Sequence, residues 1–145
     1  MIVSAEFYPD VSAELIRGAT AAIEAAGATW EKVVVPGAFE APGAIRIGMA
    51  RRDASGRRFD GYVALGCVVR GETSHYDYVC GESARGLQEL AIRHGLAIGY
   101  GILTVETLEQ AWARARVEQG GNKGRDAAMA CLAMIALRRR SGVEP

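Results

Sequence analysis

Four times along the chain a short apolar run gives way to a segment whose apolar positions recur every three or four residues, and this alternation predicts repeated β-α units. Residues 3–7 form the first run. Pro9-Asp10 breaks it, with Asp10 or Ser12 placed to cap a helix that carries Leu15, Ile16, Ala19, Ala22, Ile23 and Ala26 on one side and Glu14, Arg17 and Glu24 on the other. Gly27 closes that helix. Residues 30–35 include Val33, Val34 and Val35, a β-branched run suited to a strand buried on both faces and ended by Pro36-Gly37. A weaker helical pattern follows, with Pro42 in its first turn and Ala44, Ile45, Ile47, Gly48 and Met49 along it, stopping near Arg51-Arg52.

After a polar loop over residues 53–58, residues 61–69 make a long third strand candidate. Residues 76–94 are helical up to the stop signal His94-Gly95. Residues 96–105 give a fourth strand in which Gly99 and Gly101 mark a close approach to the backbone. A helix over 108–116 is interrupted by the glycine-bearing stretch 118–124. A last helix over 125–140 shows a narrow face of Ala127, Ala128, Cys131, Leu132 and Ile135, and its basic end, Arg138-Arg139-Arg140, complements the helix dipole. Four β-α units plus one helix imply a single α/β domain over residues 1–145, a flavodoxin-like three-layer sandwich. Its four-stranded parallel sheet has the order 2-1-3-4 and helices on both faces.

Composition narrows the partners. Lys plus Arg and Asp plus Glu each number 17, so the net charge is zero and nothing favours nucleic acid or an acidic membrane. Cys67, Cys80 and Cys131 are odd in number and lack C-x-x-C spacing, which argues against disulfides and zinc and for a reducing cytoplasm. No apolar run approaches the roughly 18 residues of a membrane span, and Met1-Ile2-Val3-Ser4 has no signal-peptide pattern. No G-x-G-x-x-G, Walker loop, G-x-S-x-G or H-E-x-x-H occurs.

In a parallel α/β sheet ligands bind beyond the carboxyl ends of the strands, where the next helices begin with unpaired N–H groups. The segments expected there are Phe7-Tyr8, residues 36–40, residues 69–75 and Val105-Glu106. Phe7 and Phe39 suit a planar ring, and Glu40 suits hydroxyls or amines. Thr73 and Ser74 offer hydroxyls for N-capping or for an anion, Gly71 lets the backbone come close, and His75 supplies an imidazole able to move protons. Arg114, Lys123 and Asp126, on the C-terminal helices, form a second place for an anion. Each residue taken singly also has a plain structural reading, as core edge, helix cap or solvated charge.

Taken together, the motifs resemble the lumazine synthase family along nearly the whole chain. They are Val35-Pro36-Gly37-Ala38-Phe39-Glu40, then Gly66-Cys67-Val68-Val69-Arg70-Gly71-Glu72-Thr73-Ser74-His75-Tyr76-Asp77-Tyr78-Val79, then Gly101-Ile102-Leu103-Thr104, Glu109-Gln110-Ala111, Arg114-Ala115 and Asn122-Lys123-Gly124. The resemblance implies condensation of 5-amino-6-(D-ribitylamino)uracil with 3,4-dihydroxy-2-butanone 4-phosphate, with release of phosphate and water and without any cofactor or metal. It assigns Phe7, Ala38, Phe39, Glu40, Cys67, Val68, Val69, Tyr100 and Lys123 to the uracil substrate. Glu72, Thr73 and Arg114 fall to the butanone phosphate, His75 to proton transfer, and Asp126 to holding the basic groups.

It also implies a homopentamer with sites between neighbouring subunits, one of which gives Tyr100, Arg114, Lys123 and Asp126, and riboflavin synthase as a functional partner. Against the family pattern Tyr8 replaces a frequent asparagine, Tyr100 a common phenylalanine, and the segment ahead of the first strand is nearly absent. The length of the loop over residues 117–121 favours isolated pentamers over a larger shell. Two other readings remain at this stage: a non-catalytic shell or a flavin- or lumazine-binding protein of the same fold, and an enzyme using Cys67 or Cys80 as nucleophile with His75 as base.

Overall fold

The computed structural model describes residues 1–53, 55–116, 118 and 121–142. The elements are β1 (Ile2–Ala5), α1 (Pro9–Ala25), β2 (Lys32–Val35), a 3-10 turn (Ala38–Glu40), α2 (Ala41–Gly48), β3 (Tyr62–Val69), α3 (His75–His94), β4 (Ile98–Val105), α4 (Leu108–Ala115) and α5 (Lys123–Arg140). All pairings are parallel and the order is β2-β1-β3-β4, as the β-α alternation predicts. Successive residues of a strand face opposite sides, so the sheet separates two cores. Ile2, Val63, Leu65, Cys67 and Leu103 pack under α1, α4 and α5, whereas Val3, Ala5, Ala64 and Ile102 pack under α2 and α3. Full burial of a side chain such as Leu65 contributes about 1.5–3 kcal/mol.

The structure revises several expectations. β2 is the edge strand that the order 2-1-3-4 predicts, but it is not buried on both faces: Val34 is 55% exposed, because the helix layer does not reach over that side chain. Pro9 does not delay α1 but occupies its first turn, where its missing N–H costs nothing. Asp10 is therefore an acidic residue of the first turn, and the buried Ser12 donates to the Ala5 carbonyl at 3.3 Å rather than capping. α2 ends at Gly48, ahead of Arg51-Arg52.

α5 begins two residues earlier than the periodicity suggests. The Asn122 side chain accepts from the Arg125 N–H at 2.8 Å, donates to the Glu14 carbonyl at 2.8 Å, and also donates to the Ala115 carbonyl. One buried amide thus ties α1, α4 and α5 together. Position 124, inside the helix, is held by glycine at a point where a Cβ would run into the Leu15 backbone. The close approach expected at Gly99 and Gly101 comes from α5, since a Cβ at Gly99 would meet the Ala127 carbonyl. At the other end of α5, Arg138 donates to the Asp60 carbonyl at 2.7 Å and Arg139 pairs with its carboxylate at 3.1 Å, so the basic end also anchors the segment entering β3. The loop over residues 117–121, on which the expectation of isolated pentamers rests, lies for the most part outside the described residues.

Candidate active site

Unequal strand lengths create the site. In the register that pairs Ser4 with Leu65, β1 ends one residue later at Ala5, while β3 runs on four residues to Val69, which pairs with Val105 of β4. The overhanging stretch Cys67, Val68 and Val69 walls a cleft of about 530 Å³ above the shorter strands. Phe7 and Tyr8 enter it from the end of β1, and their rings meet edge to face at 5.1 Å. From the end of β2 come Pro36, Gly37 and the 3-10 turn, in which buried Ala38 anchors while Phe39 and Glu40 stay exposed. The β3–α3 turn closes the cleft with Gly71, Thr73 and His75.

His75 is the first residue of α3, one position ahead of the start that periodicity suggests. Ser74 has helical backbone angles and its side chain caps nothing, contrary to the N-cap expected of it. The turn is instead closed by the Asp77 N–H donating to the Ser74 carbonyl at 3.0 Å, with a longer contact of 3.4 Å from the His75 N–H to the Thr73 hydroxyl. The α3 N-terminus, with the Thr73 hydroxyl beside it, opens on the cleft, an arrangement that favours an anion. Among the described residues the side chains of His75 and Glu40 make no hydrogen bond or ion pair, and no cluster of three His, Cys, Asp or Glu is positioned to hold a metal ion.

Cys67 is buried, and loss of solvent pushes its thiol up to about 11. Burial raises the Cys80 thiol as well. Both shifts act against the thiolate that a cysteine nucleophile needs. Nine residues assigned from the sequence line the cleft: Phe7, Ala38, Phe39, Glu40, Cys67, Val68, Val69, Thr73 and His75. Tyr100, Glu72, Arg114, Lys123 and Asp126 do not line it. Arg114, in the last turn of α4, donates to the Gln110 carbonyl at 2.9 Å, and Lys123 pairs with Asp126 at 2.8 Å in the first turn of α5. Tyr100 lies on β4 facing α3, its hydroxyl against Ser83, with burial raising its pKa. Tyr76 and Val79 also line the cleft, and the residue reading omits them. Their signal is adjacency: Tyr76 follows His75, and Val79 sits one helical turn beyond it on the same face.

The fold is a parallel α/β sheet whose strand-end cleft combines exposed aromatic rings, a carboxylate, an imidazole and an open helix start, an arrangement whose chemistry suits a planar polar ring and an anion. The sequence profile of the 6,7-dimethyl-8-ribityllumazine synthases matches residues 1–139. The chain is 53% identical over 144 residues to 6,7-dimethyl-8-ribityllumazine synthase 1 of Rhizobium meliloti (strain 1021), covering 99% of this chain and 94% of that protein. It is 52% identical to the enzyme of that name from Methylorubrum populi, covering 100% of this chain and 85% of the relative. It is 50% identical to the one from Agrobacterium fabrum (strain C58), covering 98% and 95%. The chain belongs to the 6,7-dimethyl-8-ribityllumazine synthase family, transferases of riboflavin biosynthesis.

Proposed function

We propose that this chain condenses 5-amino-6-(D-ribitylamino)uracil with 3,4-dihydroxy-2-butanone 4-phosphate to 6,7-dimethyl-8-ribityllumazine, and that it does so as a homopentamer. The observation that carries this reading is the meeting of Phe7, Phe39, Glu40, Thr73 and His75 in one cleft of a chain from this family. Phe7 is 70% exposed and Phe39 54%, a costly arrangement for large rings unless a flat ligand covers them. The pyrimidine stacks on Phe7, and the ribityl chain runs along Ala38, Phe39 and Glu40 with Cys67, Val68 and Val69 at the base. The phosphate sits at the α3 N-terminus with the Thr73 hydroxyl and Glu72 beside it.

The chemistry then needs proton movement more than strong nucleophiles. The uracil amine attacks the ketone, the carbinolamine loses water to an imine, phosphate departs, and ring closure expels a second water. His75, with its ring free beside the phosphate position, relays the protons. Holding both substrates in register supplies much of the acceleration. Tyr100, Arg114, Lys123 and Asp126 lie outside the cleft of their own chain, which supports their delivery to the cleft of the neighbouring subunit, where Arg114 meets the phosphate, Tyr100 and Lys123 meet the uracil substrate, and Asp126 holds the lysine. The product leaves for riboflavin synthase in the cytoplasm; among the described residues no helix is long and apolar enough to cross a membrane.

Mixing the two substrates with the protein and following the lumazine chromophore tests the reading. Colour that forms with phosphate release supports it. A mixture that stays colourless while the product analogue still binds leaves the non-catalytic flavin- or lumazine-binding protein. Native mass at five times the chain mass tests the pentamer.

A further inference from the structure

Arg70, one residue beyond β3, stands at the root of the turn that carries Thr73 and His75. Its Nε donates to the Glu106 carboxylate at 2.8 Å and an Nη donates to Asp77 at 3.1 Å. The guanidinium carbon lies 4.1 Å from the centroid of the Tyr76 ring, and the backbone N–H donates to the Val105 carbonyl at 2.9 Å. These partners belong to different segments: Tyr76 and Asp77 to the first turn of α3, Val105 to the end of β4 and Glu106 to the residue just beyond it. From Glu106 the chain of contacts continues. The Glu106 N–H donates to the Gln110 side-chain oxygen at 2.9 Å, and the Gln110 carbonyl accepts from Arg114 at 2.9 Å.

We propose that Arg70 is a positioning residue that fixes His75 in its own cleft and, through Glu106 and Gln110, fixes the Arg114 that serves the next subunit's cleft. The inference rests on the functional reading above for the roles of His75 and Arg114. Each ion pair is solvent-exposed and weak by itself. The arrangement is what a multi-donor guanidinium supplies and a point charge does not: two carboxylates from separate segments met by different nitrogens of one side chain, with an aromatic ring 4.1 Å from its carbon. His75 adjoins the clamped ring in sequence, so releasing Arg70 loosens the helix start that aims the imidazole. Misplacement of a reacting group by about 1 Å costs roughly a hundredfold in rate.

The test compares Arg70→Gln, Arg70→Lys and Glu106→Gln in the full-length protein. Arg70→Gln is expected to lower kcat by about tenfold to a hundredfold. The KM for ribitylaminouracil should stay within about twofold, because Phe7 and Phe39 are untouched, while the KM for the phosphate substrate rises through Thr73 and Arg114. Arg70→Lys should recover part of kcat, and Glu106→Gln should raise mainly the phosphate-substrate KM. Thermal midpoint and native mass should not change. In ligand-free protein, amide hydrogen exchange over residues 75–79 should speed up in Arg70→Gln, a readout that needs no turnover. Wild-type kcat with wild-type exchange in Arg70→Gln overturns the proposal. So does a rise of both KM values together with a collapse of the thermal midpoint, the mark of a general packing role. If the unsubstituted protein makes no chromophore, the functional reading falls by itself, and the exchange comparison still decides whether Arg70 holds the turn.

Discussion

The two ends of the sheet differ in how their polar groups are satisfied. At the amino end lies the larger hollow, about 710 Å³, bordered by Trp30, Phe59, Arg57 and Arg139. Apart from Arg58, its charged groups and indole N–H are matched within the fold: Arg57 to Asp53 at 3.7 Å, Arg139 to Asp60 at 3.1 Å, and the Trp30 N–H to Glu24 at 2.9 Å. Helices end on this side, and Gly27 and Gly95, at φ 69° and 62°, close α1 and α3 there. At the carboxyl end the cleft is smaller, about 530 Å³, yet the His75 imidazole and the Glu40 carboxylate have no hydrogen-bond or ion-pair partner among the described residues, and the rings of Phe7 and Phe39 beside them are exposed. Size therefore does not mark the site. An imidazole and a carboxylate left unpaired among the described residues, beside exposed aromatic rings on the strand ends, do.

The largest expected effect comes from the imidazole. His75→Ala should lower kcat by roughly 10²- to 10⁴-fold with little change in either KM, measured as lumazine formation under saturating substrates. An unchanged kcat would place the proton relay elsewhere. Next is the buried thiol at the base of the cleft. With its pKa raised from 9.0 to about 11, Cys67 should react with iodoacetamide at pH 8 about a hundredfold more slowly than an ordinary thiol. The same shift has a sign for stability. The folded state favours the protonated thiol, so its contribution is complete below pH 9.0 and declines as pH rises towards about 11. Mass-resolved labelling across pH checks the rate, and fast labelling of Cys67 near neutrality would contradict its burial.

Arg114→Ala should raise the KM for the phosphate substrate by about tenfold to a hundredfold, the range for losing one charge-assisted contact, while the uracil KM stays put. Equal effects on both substrates would move Arg114 out of the phosphate site. The smallest effect belongs to the opposite end of the sheet. Arg57→Ala, which borders the larger hollow, should change kcat/KM by less than about twofold, since exposed ion pairs contribute little. A large loss there would mean that both ends take part in the reaction.

Much of this architecture is legible in the residues alone. Apolar runs and period-3.6 patterns place four strands and five helices, their alternation implies parallel pairing, and the order 2-1-3-4, one of the few that right-handed crossovers leave, is the one observed. The stretch from Gly66 to Val79 announces the site because strand, turn and helix start fall in one contiguous segment. What is not legible involves neighbours distant in sequence. The three valines of β2 suggest burial on both faces, since hydrophobicity alone does not say how far the helix layers reach over an edge strand. Asn122 looks like loop, because its partners Glu14 and Ala115 come from other helices.

Sequence by itself determined the repeating β-α order and the segments that end at one edge of the sheet, because hydrophobic period and chain direction are local properties that any parallel packing must respect. Tertiary structure alone decided that β3 outruns β1 and so walls a cleft, that Arg70 reaches Glu106 across 36 residues, and that Arg114 stays out of its own chain's pocket. Those outcomes depend on register and on contacts between elements, where sub-ångström packing of side chains such as Leu65 against the glycines of β4 fixes position.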